Sequence, residues 1–186
     1  MKLYSFILIM AFSIVSSHGL TLEELNVSFR AAMLKQHEIK DQEIEKLNQG
    51  YLRALNKTKE SFQKSGDLDR ALLLKNEIEM VTQKTWPLPA LPDHLERKVG
   101  SARNTYLRSY LGIQRKWAAG VTKITEKMQK TLNSKMTALT KAGNLEEAQK
   151  AKTMLGDLAG DPIVVQSKAL LERVTTNGGS RAAFVL

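Results

Sequence analysis

The chain contains one sequence unit twice, and the two copies lie 77 residues apart. The segment KSGDLDRALLLKNEIEMV at 64–81 reappears as KAGNLEEAQKAKTMLGDL at 141–158. Five aligned pairs of residues are identical: Lys64 and Lys141, Gly66 and Gly143, Leu68 and Leu145, Ala71 and Ala148, and Lys75 and Lys152. A repeat of this length indicates a duplicated helical hairpin, in which a long helix is followed by a shorter return helix.

Apolar residues recur along both long segments with the spacing of a single helix face. In the first copy nine of the twelve register positions are apolar, and in the second copy twelve of thirteen. The steps of three and four residues amount to eleven residues in three turns, which is typical of long, nearly straight helical pairings. The register positions are 22, 25, 29, 33, 36, 40, 44, 47, 51, 55, 58 and 62 in copy one, and 95, 99, 102, 106, 110, 113, 117, 121, 124, 128, 132, 135 and 139 in copy two.

Turn residues divide the pattern into elements. Gly66 and Gly143 suit the left-handed position that follows a helix C-terminus, and Asp67 can cap the next helix. We therefore predict an all-α fold of two tandem, elongated, coiled-coil-like hairpins. Its divisions are a signal peptide at 1–19, hairpin one at 20–84, a proline-rich linker at 85–91, hairpin two at 92–158 and a partly disordered tail at 159–186.

The N-terminal residues have the layout of a secretory signal peptide. A single cation, Lys2, precedes an apolar stretch and then small residues that suit cleavage after Ser17 or Gly19. The apolar stretch is shorter than the ~20 residues needed to span a bilayer. We expect an exported protein, periplasmic or extracellular, with an uncleaved membrane anchor as the alternative. Cysteine is absent, so the mature protein has no disulfides.

Two resemblances follow from the turn segments. Ser65–Ala71 and Ala142–Ala148 are similar to the turn and second helix of a tetratricopeptide repeat, over about 15 residues in each copy. Over most of 22–158 the chain resembles long coiled-coil hairpins of exported bacterial proteins, in which a Tyr-Leu-x-Ala-Leu segment such as Tyr51–Leu55 precedes the turn. That resemblance implies a spacer or assembly module and no reaction.

No group of residues has the pattern of a catalytic, cofactor or metal site. The mature histidines, His37 and His94, lie far apart in sequence and lack further ligands at suitable spacing. A nucleophilic cysteine and a glycine-rich phosphate loop are both missing. We expect no enzyme activity, no small-molecule substrate and no cofactor. Asn26 and Asn56 match the N-glycosylation pattern, but we expect both to be unmodified.

Part of the apolar register lies beyond the reach of the return helices, if each hairpin is taken alone. Left in water, it would form a larger apolar stripe than soluble monomers usually expose. We therefore expect a homodimer, or pairing with another helical protein, with a folded monomer as the alternative. The self-association stripe comprises Leu22, Leu25, Phe29, Met33, Tyr106, Tyr110, Ile113 and Trp117.

Positive charge is concentrated in the second long helix. Residues 97–141 contain eleven Lys or Arg and one acid, Glu126, in a chain of net charge +9. Our preferred function is a non-enzymatic assembly or spacer module acting through protein–protein contacts. The alternative is electrostatic binding of an anionic polymer, such as nucleic acid, acidic glycan or lipid head groups. The candidate anion-binding face comprises Arg103, Arg108, Arg115, Lys116, Lys123, Lys127 and Lys130.

Overall fold

The computed structural model describes residues 19–85, 88 and 93–176. The described residues form five α-helices and no β-strand, which confirms the all-α prediction. The helices are α1 (Leu22–Lys64), α2 (Leu68–Thr82), α3 (Asp93–Lys141), α4 (Leu145–Gly160) and α5 (Pro162–Thr176). The long helices α1 and α3 and their return helices α2 and α4 match the expected hairpins. The expected signal peptide up to residue 18, most of the expected linker and residues 177–186 lie outside the described residues.

The apolar register decides which face of each long helix is buried. Every register position of α1 and of α3 is buried or half-buried, including the polar exceptions Gln36, Lys40 and Lys135. The start of α1 is capped by Thr21 and Glu24. The Thr21 hydroxyl accepts a hydrogen bond from the Glu24 amide at 3.1 Å, and the Glu24 carboxylate accepts one from the Thr21 amide at 2.7 Å.

Helix α5 lies within the tail that we expected to be partly disordered. Residues 162–176 are helical, and residues 177–186 lie outside the described residues. Asp161 has φ −58° and ψ 124°, the extended conformation favoured before proline, and Pro162 then occupies the first helical position. Val164 and Ser167 of α5 are fully buried, so packing stabilises a helix whose sequence signal is weak.

The chain forms two compact units, and neither coincides with one sequence copy. Unit 1 comprises the residues up to Ala32 together with Lys123–Asp161, and unit 2 comprises Met33–Thr122 together with the residues from Pro162 onward. Each unit therefore combines the hairpin end of one copy with the start of the other copy's long helix. The expected hairpins exist as chain segments, but they are not the compact units.

Each unit has its own apolar core. In unit 2 the core residues come from the second half of α1, from α2 and from the first half of α3: Tyr51, Leu55, Phe62, Ala71, Leu74, Val81, Leu95, Val99 and Tyr106. In unit 1 the buried apolar residues come from the start of α1, the end of α3 and α4: Leu22, Leu25, Phe29, Met128, Leu132, Ala148, Ala151 and Leu158. Of the described helices, none is long and apolar enough to cross a membrane.

The two hairpin turns have the same backbone geometry. Gly66 has φ 75° and Gly143 has φ 77°. In the first turn the amide of Gly66 bonds to the carbonyl of Gln63, and the amide of Asp67 bonds to that of Phe62. The second turn repeats both bonds, so each long helix ends in a Schellman motif.

Replacing either turn glycine with valine is expected to destabilise its unit by about 1–2 kcal/mol, because a β-branched residue resists positive φ. The matched control is Gly112→Ala on the exposed side of α3, where an added Cβ would meet nothing within 4 Å. That change should stabilise the protein by up to about 1 kcal/mol, since alanine is the better helix former. Urea unfolding curves of the three variants measure both effects. Equal midpoints for wild type and the valine variants would contradict this account of the turns.

Candidate functional site

Unit 2 contains a group of polar side chains buried inside its apolar core. This group, the polar cluster, consists of Asn48 and Tyr51 from α1, Glu77 from α2, and Arg103 and Tyr106 from α3. All five residues are buried. Buried polar groups are costly unless they are hydrogen-bonded, so the contacts within the cluster decide whether it is tolerated.

The Glu77 carboxylate joins three helices. One of its oxygens accepts a hydrogen bond from the Tyr51 hydroxyl at 2.6 Å. The other accepts a hydrogen bond from Nη1 of Arg103 at 3.4 Å. This carboxylate therefore has a partner on each of the other two helices, and the Arg103 charge is buried opposite an acid.

The two tyrosines of the cluster stack on each other. The ring centroids of Tyr51 and Tyr106 lie 4.3 Å apart and their planes differ by 13°. The Tyr106 hydroxyl donates a hydrogen bond to Oδ1 of Asn48 at 2.8 Å. The stacked rings thus carry two polar contacts at their edges and apolar packing on their faces.

Burial makes both phenols poor acids. It raises the pKa of the Tyr51 phenol, and the hydrogen bond to the Glu77 carboxylate raises that pKa further. Burial also raises the pKa of Tyr106 to about 12, with Tyr110 and Glu77 adding to the effect. Both hydroxyls therefore stay protonated and act as donors. Such an arrangement suits structural pairing of helices.

A second polar group in unit 2 surrounds Trp117. The His37 and Trp117 ring centroids are 5.1 Å apart in an edge-to-face arrangement, and Nζ of Lys40 lies 4.9 Å from the Trp117 ring centroid. The same Lys40 ammonium is 3.4 Å from Nδ1 of His37. Nε2 of His37 and Nε1 of Trp117 are buried and have no hydrogen-bond partner among the described residues.

This environment favours the neutral imidazole. Burial lowers the pKa of His37, the Lys40 charge lowers it further, and Asp41 acts in the opposite direction. The unfolded chain therefore binds a proton more readily than the folded chain. We expect the contribution of His37 to stability to be complete above about pH 6.5 and to be lost as the pH falls through that value toward the lowered folded-state pKa.

Urea midpoints of the wild type and of His37→Gln, compared at about pH 7.5 and about pH 5, measure this contribution. The two proteins differ only at residue 37, so the difference between their pH dependences isolates the contribution of His37. The wild type should lose more stability than the variant on acidification. Parallel losses in the two proteins would contradict the assignment.

The candidate anion-binding face is only partly exposed. Arg103 is 6% exposed and bonded to Glu77, so its assignment to an exposed face was wrong. In unit 2 Arg108, Arg115 and Lys116 are exposed, and Nζ of Lys116 lies 2.6 Å from a carboxylate oxygen of Glu43. In unit 1 Lys123, Lys127 and Lys130 are exposed and lie four and three residues apart on one side of α3.

The self-association stripe is covered by the chain itself. Leu22, Leu25 and Phe29 are buried in unit 1. In unit 2 Met33, Tyr106 and Trp117 are buried, and Tyr110 and Ile113 are half-buried. These residues, which we expected to lie beyond the reach of their own return helices, are covered within the chain because the start of each long helix packs in a unit with the other copy's hairpin end.

Sequence reasoning missed most of the polar cluster. Asn48 and Glu77 were not singled out, and Tyr51 and Tyr106 were assigned only as apolar register positions. One signal was available: Glu77 lies three residues after Leu74 and four before Val81, on the buried side of α2. An acid at such a position predicts a buried partner of opposite charge.

The described residues provide buried contacts that pair helices and charged side chains on the surface. They contain no group of three or more His, Cys, Asp or Glu side chains placed to hold a metal ion. Searches against protein-family models, curated proteins and solved structures each returned no match.

Proposed function

We propose that this protein is an exported, non-enzymatic helical module that acts as a spacer or assembly element through contacts with other proteins. The partner is a second copy of the chain or another helical protein. Export rests on the layout of residues 1–19, and the absence of a reaction rests on the residue pattern of the chain. The structural observation that supports the proposal is the exposed apolar surface at the tip of each hairpin, where the long helix turns into its return helix.

Each hairpin tip exposes a leucine at the same repeat position. Leu68 is 67% exposed and Leu145 is 66% exposed, and each follows a glycine of positive φ and a capping residue. A single exposed leucine is ordinary on a protein surface. The same exposed leucine on two copies of one turn supports contact with a partner, and at the first tip Leu72 extends the apolar surface by one helical turn.

Light scattering on the chain from residue 20 onward tests the proposal. We expect a mass above the monomer at micromolar concentration, little changed between about 50 and 300 mM salt because apolar contacts are nearly indifferent to screening. Replacing Leu68, Leu72 and Leu145 with lysine should shift the mass toward the monomer. The control is Val27→Lys, which changes an equally exposed residue away from the tips. A monomeric wild type would overturn self-assembly as the mode of action.

A second candidate function is the binding of an anionic polymer, and the exposed cations of α3 favour it. Arg108 and Arg115 in unit 2, and Lys123 and Lys130 in unit 1, are exposed and lie off the buried register. Cations that neutralise phosphate or sulfate groups release counterions, so such binding weakens steeply as salt rises.

Heparin affinity chromatography separates the two functions. Changing Arg108, Arg115, Lys123 and Lys130 together to glutamine should abolish salt-sensitive retention if α3 binds polyanions. The matched control changes four exposed cations of α1 to glutamine, with the same loss of net charge: Lys46, Arg53, Lys57 and Lys64. Equal loss of heparin retention in both variants would show that retention depends on net charge alone. A wild type that heparin does not retain would reject this second candidate.

A further inference from the structure

The apolar register of α1 is interrupted by polar residues in unit 2. Between Met33 and Ile44 both register positions are polar, namely Gln36 and Lys40. Trp117 of α3 lies at this interruption, since Nζ of Lys40 is 4.9 Å from its ring centroid. Trp117 is buried, but it is not one of the core residues of unit 2. Polar side chains therefore replace, at this contact between α1 and α3, the apolar packing that stabilises the core.

The contact depends on a neutral imidazole. The Lys40 ammonium lies 3.4 Å from Nδ1 of His37, and an ammonium has only hydrogen atoms to donate. This hydrogen bond therefore forms only while Nδ1 carries no proton. In the neutral ring the proton is then on Nε2, which is buried and has no hydrogen-bond partner among the described residues.

The two helices approach closely beside the imidazole. A Cβ added at Gly120 of α3 would collide with Oε1 of Gln36 on α1. The His37 ring packs edge-to-face against Trp117, and Lys40 already occupies the face of the same indole. The contact therefore accommodates one cation beside the indole, and a second cation would have to compete with it.

The charged groups around His37 do not balance an added proton. Burial lowers the pKa of His37, the Lys40 charge lowers it further, and Asp41 raises it. The Asp41 carboxylate is exposed and lies 3.5 Å from Lys40. On α3, the ammonium of Lys116 is bonded to Glu43. The charged residues of α5, which also belongs to unit 2, are all exposed: Lys168, Glu172 and Arg173.

We propose that the contact between α1 and α3 around His37 and Trp117 is acid-sensitive and opens locally when the imidazole binds a proton. Protonation breaks the hydrogen bond from Lys40 and places two cations side by side at a buried indole. Separation of the two helices at this point returns both cations to water. The polar cluster contains no histidine, so that part of unit 2 stays packed.

The fluorescence of Trp117 tests the proposal in the full chain, with Trp86→Phe leaving Trp117 as the only tryptophan. Acrylamide quenching is measured without denaturant at about pH 7.5 and about pH 5, on either side of the usual histidine pKa. The quenching constant should rise about twofold or more on acidification, while the helical circular dichroism signal is retained. An unchanged constant, or a parallel loss of helix, would overturn the proposal.

Three further substitutions in the same background identify the group responsible. His37→Gln should remove the rise in quenching. Lys40→Met takes away the competing cation and should reduce the rise. The matched control is Lys35→Met, which removes an exposed lysine paired with Glu38 and should leave the rise unchanged. Both lysine variants keep the histidine, so they test the proposal even where His37→Gln disturbs the packing. A full rise in His37→Gln, or equal responses of the two lysine variants, would refute the proposal.

Discussion

Glu77→Ala is expected to lower the free energy of unfolding by about 3–5 kcal/mol, because it removes the carboxylate that faces a buried guanidinium. The same change removes the hydrogen-bond acceptor of the Tyr51 hydroxyl and leaves that buried hydroxyl without this partner. The loss should appear as a lower urea midpoint with an unchanged slope.

Glu79→Ala is the matched control for this prediction. It removes the same side chain two residues further along α2, where the carboxylate is exposed and forms only a 3.8 Å surface pair with Lys75. Its effect should stay within about 0.5 kcal/mol. Similar losses for the two alanine variants would mean that the Glu77 contacts contribute little, and the account of the polar cluster would fail.

Leu55→Ala is expected to destabilise unit 2 by about 2–5 kcal/mol, since it removes a fully buried side chain and leaves a cavity in the core. Leu34→Ala makes the same chemical change on the other side of α1, where the side chain is 62% exposed. The control should change the free energy of unfolding by less than about 0.5 kcal/mol. Thermal or urea unfolding measures both variants, and a similar loss in each would contradict the assignment of the buried face of α1.

The periodic features of the sequence predicted the secondary structure well. The eleven-residue register identified the buried face of α1 and α3, because a helix whose apolar residues share one side can bury only that side. Gly66 and Gly143 marked the turns, because glycine adopts positive φ at little cost. Helix α5 was not assigned from the sequence, because its start is marked only by Asp161 and Pro162 and its stability comes from burial of residues such as Val164.

Sequence patterns were enough to predict helices α1 to α4, the buried faces of α1 and α3 and the two turns, since each depends on residues that are neighbours along the chain. The packing of each hairpin end with the start of the other copy's long helix became evident only in three dimensions. That packing buried the apolar stripe within one chain and placed Arg103 against Glu77. Contacts between residues 26 positions apart or more, such as Tyr51 with Glu77 and Tyr106 with Asn48, leave no periodic trace in a single sequence, because their energy depends on which helices meet.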